Sequence, residues 1–585
     1  MGVPGFFAWL LRNKKKLGSN KLIKTELNCK IKYLMLDTNC LLHPCVNNIL
    51  DKYKNGLLKL DVNLPVREQL EKYIWILIKN YINDMILKVN PEVLYIGIDG
   101  VAPIGKVLQQ RQRRYRYLYD KSIKLNENSE ILVNIKSNGI EEPIIPISSI
   151  ELTPGTDYME RIHNLMLNYM DSIENQGIKT IYSSYHEEGE GEHKILQYIK
   201  KNLKSDDSVI IYGLDADLLF LSLGVGIDRD LYIMRESQVF NNKEVDLDEY
   251  PEYNYVEISL LHKLIENLET STPDFIVLCY LIGNDFLPGM LTLDVKKGGL
   301  DKIFDAFQKV IHKSGIEIRT SGIITNKLVI TKSNGEFEIN HKLLIEILKE
   351  LIWTEKYIWK NINRDRFLNQ KTVPLDEREA LFLKAKEQKK DSVLKFITGL
   401  SDNTDCLSKV EFSSSKEYYS YYLGINCLDI DTQIISKMVQ DYVNGIHWCV
   451  NYYLDECKSW SWGYNFLVGP LLSDIIAYYP NQNSISINQI SRGLNPVEQL
   501  ILAIPPETYK YVIEKDIIKS MQLNKKIGYM FPISYDLDIN IQSKMWKCQV
   551  KIPMVEYDEY LREIKKINIH NEKNILLHEK KILYK

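Results

Sequence analysis

The stretch Val209-Ile-Ile-Tyr-Gly-Leu-Asp-Ala-Asp217 is an apolar, strand-like run that ends in two aspartates. Three further apolar runs lead to an aspartate in the same way: residues 33–36 before Asp37, residues 94–98 before Asp99, and residues 275–278 ahead of Asp285. In an open α/β sheet the ligand crevice lies at the carboxyl ends of the parallel strands, so acids from separate strands meet there. We therefore predict an α/β fold whose mostly parallel sheet is flanked by helices and carries acids at one edge.

Two pairs of acids, Asp215 with Asp217 and Glu190 with Glu192, are spaced two residues apart. This spacing places side chains on one face of extended backbone but about 200° apart around a helix, which favours a strand end or a loop. Carboxylates packed together repel and raise one another's pKa values, and hard cations such as Mg²⁺ relieve the repulsion. A single aspartate after a strand is often only a turn former or a helix N-cap. The acids predicted to bind metal and to be catalytic are Asp37, Asp99, Glu190, Glu192, Asp215, Asp217 and Asp285.

A helix with one cationic face is predicted shortly after Asp99. Positions i, i+4, i+7 and i+8 of this helix form one stripe and are occupied by Lys106, Gln110, Arg113 and Arg114. Arginine offers bidentate donors and lysine a point charge, which suits a phosphate that is held while a neighbouring phosphodiester is cut. A solvated basic helix face is the alternative interpretation of the same residues.

The composition permits such a site without specifying it. The chain has 585 residues, 45% of them hydrophobic, which allows a large core and about two to four domains. Its net charge of -3 fits a focused nucleic-acid site better than a basic coat. The nine cysteines show no CxxC pair and no metal-ligand spacing, so we expect an intracellular, reducing location and no structural zinc. No apolar run reaches the roughly 18 residues of a membrane span.

The residue composition and the hydrophobic pattern of the chain change twice along its length. Residues 1–300 hold all seven acids among strand-like runs and helical patterns, and we predict one nuclease domain there. Residues 301–409 turn to amphipathic helices and charged segments such as 384–390, which predict a solvated connector. Residues 410–585 are dense in aromatic side chains, and we predict a second, mostly helical region that completes the core by packing on the nuclease domain.

Ordered blocks over nearly the whole chain resemble the eukaryotic 5′→3′ exoribonuclease (Xrn) family. In the first part these blocks are Met1-Gly-Val-Pro4, Asp37-Thr-Asn-Cys-Leu-Leu-His43, Ile98-Asp-Gly-Val-Ala-Pro103, Thr153-Pro-Gly-Thr156, Gly189-Glu-Gly-Glu-His-Lys194, Tyr212-Gly-Leu-Asp-Ala-Asp217 and Gly283-Asn-Asp-Phe-Leu-Pro288. In the second part they are Trp448, Tyr452-Tyr453, Ser459-Trp-Ser-Trp462, Pro470 and Trp546. Each block alone is a weak signal, but together, in the family's order, they make a strong match.

The resemblance implies a PIN or flap-nuclease-like fold and a 5′→3′ exoribonuclease that releases mononucleotides from single-stranded RNA with a 5′ monophosphate. It also implies two ions of Mg²⁺ or Mn²⁺, one activating the attacking water and the other stabilising the leaving 3′ oxygen. The seven acids match the family's metal ligands by position, and its 5′-phosphate pocket is matched by Lys106, Gln110, Arg113 and Arg114.

The resemblance further implies that His43 packs on the terminal nucleotide and that Trp460 or Trp462 stacks with it. Judged by residue type alone, a structural role fits His43 as well as a base-stacking role does. Tryptophans belong to a hydrophobic core more often than to a binding site. The sequence therefore leaves the choice between the two tryptophans open.

Some residues depart from the family's pattern. Cys40 stands where the family usually has glycine, and Gly5 where a basic residue is common. The chain ends shortly after the second region, so we expect a minimal or viral-like member without the C-terminal domains, located in the cytoplasm rather than the nucleus. Protein partners are not predicted.

Two rival functions are a flap endonuclease cutting branched DNA and a catalytically silent RNA-binding scaffold. The presence of all seven acids argues against the scaffold, and we see no helix-hairpin-helix glycine motif that would favour the flap endonuclease.

Overall fold

The computed structural model of the protein describes residues 2–3, 5–13, 22–27, 29–126, 147–225, 229–237, 251–313, 319–320, 323–324, 326–333, 335–365, 374, 377–400, 412–479, 493–513, 515–540 and 544–567. Within these ranges no helix combines the length and the apolar character that crossing a membrane requires.

The strands of the first half of the chain form one seven-stranded sheet. In chain order they are β1 (Ile23–Lys24), β2 (Tyr33–Asp37), β3 (Val93–Gly97), β4 (Lys179–Ser183), β5 (Val209–Tyr212), β6 (Leu231–Glu236) and β7 (Tyr253–Glu257). Their order across the sheet is β1-β7-β6-β5-β2-β3-β4, and β2 to β6 run parallel while β1 and β7 form an antiparallel edge. The predicted α/β fold with a mostly parallel sheet is confirmed.

Strand register brings the candidate acids to one edge of this sheet. Asp37 pairs with Gly97 of β3, and Leu36 pairs with Tyr212 of β5. The carboxyl ends of β2, β3 and β5 are therefore level. Residues that follow these strands emerge side by side, as expected for the crevice of an open parallel sheet.

Helices cover both faces of the sheet. Those of the first half are α1 (Phe6–Asn13), α2 (Asn39–Lys54), α3 (Val66–Val89), α4 (Ile104–Asn126), α5 (Asp157–Glu174), α6 (Gly191–Asn202), α7 (Asp217–Leu223), α8 (Ile258–Glu266) and α9 (Thr272–Tyr280). Successive strand residues point to opposite faces, so Leu34 and Leu36 pack with α2, α3 and α5 while Met35 packs with α1 and α6 to α9. Burial on both faces explains why the strands are almost continuously apolar.

One predicted strand is a helix. Residues 275–278 lie in α9, where the Ser271 side chain caps the helix by accepting a hydrogen bond from the backbone N–H of Asp274 and Pro273 occupies the first turn. The helix is buried from Asp274 to Tyr280, so it is apolar on every side. Such a run carries no periodicity that separates a helix from a strand, and the strand prediction was wrong for this reason.

The rest of the chain is mainly helical. Its helices are α10 (Gly299–Ile311), α11 (His341–Leu351), α12 (Ile358–Asp365), α13 (Glu377–Glu387), α14 (Asp391–Thr398), α15 (Ser415–Leu423), α16 (Thr432–Leu454), α17 (Leu472–Tyr478), α18 (Pro496–Ala503), α19 (Lys515–Leu523) and α20 (Tyr557–Ile564). Short antiparallel strand pairs accompany them: β8 (Arg319–Thr320) with β9 (Ile323–Ile324), β10 (Val329–Thr331) with β11 (Phe337–Ile339), and β12 (Asp536–Asp538) with β13 (Gln549–Lys551).

The region between 301 and 409 is less solvated than its charge suggests. Buried residues of α10, α11 and α16 share one core cluster with Met35 and the helices on that face of the sheet. Lys386, inside the charged segment 384–390, is 2% exposed, and its Nζ donates to the carbonyl of Ile539 at 2.8 Å. Its long aliphatic stem allows this burial, because only the ammonium end needs a polar partner. The predicted boundaries 1–300, 301–409 and 410–585 stay predictions.

Candidate active site at the carboxyl ends of the strands

The seven predicted acids come from a strand end, loops and helix starts along the edge of the sheet described above. Asp37 ends β2 and Asp99 follows β3 by two residues. The two closely spaced pairs each lie at the start of a helix: Glu190 and Glu192 at α6, and Asp215 and Asp217 at α7. Asp285 lies in the loop after α9.

Gly191 lets two of these acids approach each other. Its backbone N–H donates to Oδ1 of Asp99 at 2.6 Å. A Cβ atom at position 191 would lie 2.8 Å from Oδ1 of Asp37 and 3.4 Å from Oδ1 of Asp99. Any side chain at this position would fill the space between the carboxylates, which is the structural reason for a glycine here.

Lys106 supplies positive charge to two other acids of the cluster, Glu190 and Asp285. Its buried Nζ lies 2.8 Å from Oε1 of Glu190 and 2.8 Å from Oδ2 of Asp285. The second oxygen of Asp285 accepts the backbone N–H of Gly2 at 2.9 Å. The hydroxyl of Tyr452 in α16 donates to Oε2 of Glu190 at 2.9 Å. The structure thus brings the Lys106 end of the predicted stripe to the acids, and the phosphate-binding role of the stripe stays a prediction.

The pKa shifts set Asp285 apart from the other acids, because burial raises the pKa values of Asp99 and Glu190 as well. Burial would raise the pKa of Asp285, but Lys106 and the Gly2 N–H outweigh it and lower that pKa to about 2. Burial and then Asp99 raise the pKa of Asp37 to about 8, although the Cys40 thiol donates to its Oδ2 at 2.9 Å. Burial likewise raises the pKa values of Glu192 and Asp217 well above the usual range. These acids with raised pKa values, the unbalanced acids, therefore lack sufficient positive charge.

Three carboxylate oxygens in this group have no hydrogen-bond partner within the described part of the chain: Oδ1 of Asp37, Oε2 of Glu192 and Oδ1 of Asp217. A buried polar atom without a partner costs about 1–3 kcal/mol, and more when it is charged. Hard divalent cations take oxygen ligands of this kind. The described residues nevertheless contain no ready group of three or more His, Cys, Asp or Glu side chains at ligating positions. These carboxylate oxygens are chemically suited to bind a divalent ion. The acidic side chains would have to move closer together to surround it.

The cationic side of the site lies two turns further along α4. Nη2 of Arg114 donates to Oγ1 of Thr153 at 2.7 Å, whereas its buried Nη1 has no partner among the residues that the structure describes. Burial and then the charge of Arg113 lower the pKa of Arg114 to about 10. The buried Oε1 of Gln110 also lacks a partner in the described chain, and Arg113 is exposed. Nη1 of Arg114 thus offers a donor, and Oε1 of Gln110 an acceptor, that no described residue uses.

His43 belongs to this cationic side. It lies in α2, where the residue is accessible at the surface. Partial desolvation and then the nearby charges of Arg114 and Arg113 hold its pKa below the usual histidine range. At neutral pH the ring is therefore an uncharged imidazole next to two guanidinium groups.

The structure separates the two candidate tryptophans. The Trp462 ring stacks on Trp448 with a centroid distance of 4.8 Å and an interplanar angle of 28°. Gly445 makes room for it, since a Cβ there would lie 2.6 Å from Cζ2 of Trp462. Trp460 is half-buried and has no ring partner among the described residues. Its carbonyl accepts the backbone N–H of Ile104, so its segment is fastened to the start of α4.

A cavity of about 500 Å³ lies on another side of α4. It meets the acids only through Asp285 and contains neither Arg113 nor Arg114. The cation in its wall is Arg111, whose guanidinium already donates to the carbonyls of Met530 and Pro553. We therefore do not assign the phosphate-binding role to this cavity.

Sequence reasoning missed the polar contacts that arrive from distant segments. Neither the Gly2 N–H on Asp285 nor the Tyr452 hydroxyl on Glu190 was predicted. The only signal for Tyr452 was its place in a block that resembles a known family.

Comparison with known proteins places these features in context. The chain matches the family models "XRN 5′-3′ exonuclease N-terminus" over residues 1–237 and "Xrn1 helical domain" over residues 266–372 and 330–574. It is similar to 5′-3′ exoribonuclease 1 of Schizosaccharomyces pombe (26% identity, covering 95% of this chain and 48% of that protein) and of Homo sapiens (24%, 97% and 34%). It is also similar to the 5′-3′ exoribonuclease 2 homolog of Drosophila melanogaster (24%, 95% and 70%). The chain spans about half of the fission yeast relative and about a third of the human one.

Proposed function

Because this chain belongs to the XRN 5′-3′ exonuclease family, we propose that it is a 5′→3′ exoribonuclease that hydrolyses single-stranded RNA with a 5′ monophosphate to mononucleotides. The observation that carries the proposal is the pairing of two clusters along α4. Acids whose oxygens have no partner among the described residues lie near its start, and two turns later Arg114 has an N–H that is likewise without a partner in that part of the chain. In RNA with a 5′ phosphate, the first phosphodiester would meet the ions held by the acids. The terminal phosphate would accept hydrogen bonds from Arg114.

The acids would hold Mg²⁺ or Mn²⁺, and we propose two ions because seven carboxylates exceed what one ion needs. Bound ions would activate the attacking water and stabilise the leaving 3′ oxygen. This assignment is supported by three carboxylate oxygens that have no hydrogen-bond partner among the described residues: Oδ1 of Asp37, Oε2 of Glu192 and Oδ1 of Asp217. The backbone N–H of Gly191 orients the carboxylate of Asp99, which would hold this ligand in position near Asp37.

The 5′ phosphate would bind to Arg113 and Arg114. The planar guanidinium gives two parallel donors to phosphate oxygens, and Arg114 keeps one such donor unpartnered in the described chain. Gln110 would add an amide donor next to them. Lys106 joins this pocket only when Glu190 and Asp285, its present partners at 2.8 Å, receive their charge balance from elsewhere.

The terminal base would stack between His43 and Trp460. Both side chains are partly or fully accessible, whereas Trp462 is already stacked on Trp448. Stacking a base on an aromatic ring requires that base to leave a duplex, so the proposal favours single strands. The cytoplasmic location expected from the sequence stays a prediction.

Digestion of one end-labelled RNA tests the proposal. The RNA is prepared with a 5′ monophosphate, 5′ hydroxyl, 5′ triphosphate or cap, and as a circle, each with Mg²⁺ and with EDTA. We expect labelled mononucleotide from the first time point for the monophosphate alone, and no hydrolysis in EDTA. Oligonucleotide products, or cleavage of the circle, would favour an endonuclease and contradict the proposal. A flap endonuclease would leave the linear strand intact and cut branched DNA.

A further inference from the structure

A buried tyrosine of the second region contacts an acid of the first. Tyr452 is 3% exposed and lies near the end of α16. Its hydroxyl donates to Oε2 of Glu190 at 2.9 Å across 262 positions of sequence. Because Lys106 takes the other oxygen of Glu190, each oxygen of this carboxylate has a fixed partner. Glu190 therefore has one defined orientation.

The ring of Tyr452 is itself held by a stack of aromatic rings. It lies parallel to His193 with a centroid distance of 4.5 Å and an angle of 9°, and to Trp448 at 4.8 Å and 14°. Trp462 stacks on the far side of Trp448 at 4.8 Å. The indole N–H of Trp448 donates to the carbonyl of Ser459 at 2.8 Å, which fixes the rotation of that ring.

The loop that carries another acid wedges against the same stack. Phe286, the neighbour of Asp285, meets Trp448 edge to face at 4.8 Å and Tyr452 at 5.1 Å. Offset and edge-to-face ring pairs contribute about 0.5–1.5 kcal/mol each beyond the area that they bury. The stack is therefore stiff where it meets both Glu190 and Asp285.

We propose that Tyr452 is a positioning residue that sets the metal affinity of the site by orienting Glu190. This inference rests on the proposed function, since it takes Glu190 as a metal ligand. A hydrogen bond to one oxygen of a ligating carboxylate fixes the direction of the other. Without the hydroxyl, Oε2 of Glu190 would lose its fixed partner and Lys106 alone would hold the carboxylate, so ordering Glu190 around an ion would cost more conformational entropy. Outer partners of this kind typically change metal affinity or activity by about 10–100-fold when they are removed.

The test substitutes Tyr452→Phe in the full chain and follows the rise of Tm with Mg²⁺ concentration in the absence of RNA. Phenylalanine keeps the stacked ring and removes only the hydroxyl. We expect the Mg²⁺ concentration that gives half of the maximal Tm rise to increase about 10-fold or more. Hydrolysis of 5′-monophosphate RNA should fall at low Mg²⁺ and recover as Mg²⁺ is raised, which a general loss of folding would not produce.

The matched control is Tyr419→Phe. Tyr419 is also a buried tyrosine whose hydroxyl donates to a carboxylate, Oδ2 of Asp474 at 2.6 Å, and it has no hydrogen bond with the seven acids among the contacts of the described chain. It should lower Tm without changing the half-saturating Mg²⁺ concentration. An unchanged Mg²⁺ dependence in Tyr452→Phe would overturn the inference while leaving the proposed function intact.

Two further outcomes separate the inference from its premise. If the wild type itself shows neither a Mg²⁺-dependent Tm nor hydrolysis, the proposed function is rejected as well. The double variant of Tyr452→Phe with Glu190→Gln tests the route directly, because a hydroxyl that acts through Glu190 should add nothing once Glu190 is changed. Additive losses of Mg²⁺ affinity would show that Tyr452 acts elsewhere and would overturn the inference.

Discussion

Lys106 and Arg114 lie on the same face of α4, yet they belong to opposite kinds of surroundings. The Lys106 ammonium is shared by two carboxylates at 2.8 Å, so its charge is used within the protein. Arg114 donates once to Thr153 and keeps a buried N–H without a partner in the described chain. The charge of a side chain therefore does not tell what it can bind. What matters is the group that its neighbours leave unpartnered.

The same rule holds for the negatively charged side chains of the acid cluster: what they can bind depends on which of them lack a partner. Asp285 is balanced by Lys106 and has a pKa lowered to about 2, whereas Asp37 is unbalanced and has a pKa raised to about 8. The excess of acceptor oxygens near Asp37 calls for cations, and the excess of donors near Arg114 calls for an anion. A metal-bound phosphodiester with a terminal phosphate supplies both, which is why the two clusters make most sense as parts of one site.

The largest expected effect comes from the acid side. Asp99→Asn or Asp217→Asn keeps the side-chain volume but removes a metal-binding charge, so hydrolysis should fall by orders of magnitude. The rise of Tm with Mg²⁺ should shrink in both variants, because an ion that binds only the folded state stabilises it. The exposed Asp171 on α5 provides the control: Asp171→Asn should change neither property. Turnover within tenfold of wild type would remove the substituted acid from the metal site.

The next effect comes from the cationic side and depends on the substrate. Arg114→Ala removes charge-assisted donors worth about 1.5–3 kcal/mol, so 5′-monophosphate RNA should be cleaved about 10–100-fold more slowly. RNA with a 5′ hydroxyl should be affected far less, because it lacks the phosphate that these donors are proposed to contact. Arg113→Ala should behave in the same way, and the exposed Lys72 on α3 supplies a neutral comparison as Lys72→Ala. Equal slowing of both substrates would mean that the arginines contact the RNA backbone in general and not the 5′ phosphate.

The acid cluster was predictable because an aspartate at the end of a short apolar run can be recognised locally. The level ends of β2, β3 and β5 then bring Asp37, Asp99 and Asp215 to one edge of the sheet, which follows from parallel topology. The run 275–278 gave a wrong strand because a helix buried on all sides has no periodicity of its own. Asp285 still reaches the site, since the loop after α9 carries it.

The partners of the acids were not predictable from residue spacing. A helical wheel shows that Lys106 and Arg114 share a face, but it does not show which segments lie opposite each turn of that face. Lys106 meets Glu190 and Asp285, and Arg114 meets Thr153. The Tyr452 contact spans 262 positions and depends on how α16 packs, which no local pattern records.

A third prediction concerns the two tryptophans and separates binding from packing. Trp460→Ala should weaken RNA binding by a stacking energy of about 1–3 kcal/mol, read as a higher KM, with little loss of Tm. Trp462→Ala should instead lower the free energy of unfolding by about 3–5 kcal/mol, because it removes one ring from the stack on Trp448. Thermal melting and the KM for short RNA, measured on both variants, check this. A reversed pattern would make Trp462 the base-stacking residue.

A last contrast between the two clusters is the dependence of stability on pH, which should differ between them in EDTA. The folded-state pKa of Asp37 is about 8, above its ordinary value of 3.8, so the folded state holds a proton that the unfolded state has lost. Stability is then fully present below pH 3.8 and is lost as pH rises through about 8, by up to about 1.4 kcal/mol per pH unit for one proton. Glu192 and Asp217 act in the same direction, since their pKa values are also raised. Asp285 acts oppositely, but its window lies between about 2 and 3.8 and does not reach neutral pH.

On the cationic side, the lowered pKa of His43 makes stability fall as pH drops below the ordinary histidine value of 6.5. In EDTA the unfolding free energy should therefore decline from about pH 6.5 to about pH 8 because of the raised pKa of Asp37, and Asp37→Asn should flatten that decline. Saturating Mg²⁺ should flatten it too, because a bound cation supplies the charge that the unbalanced acids lack. Urea unfolding between pH 6 and pH 9, with EDTA and with Mg²⁺, measures both changes. A slope that Mg²⁺ leaves untouched would mean that the raised pKa values arise outside the metal site, and the contrast between the two clusters would lose its physical basis.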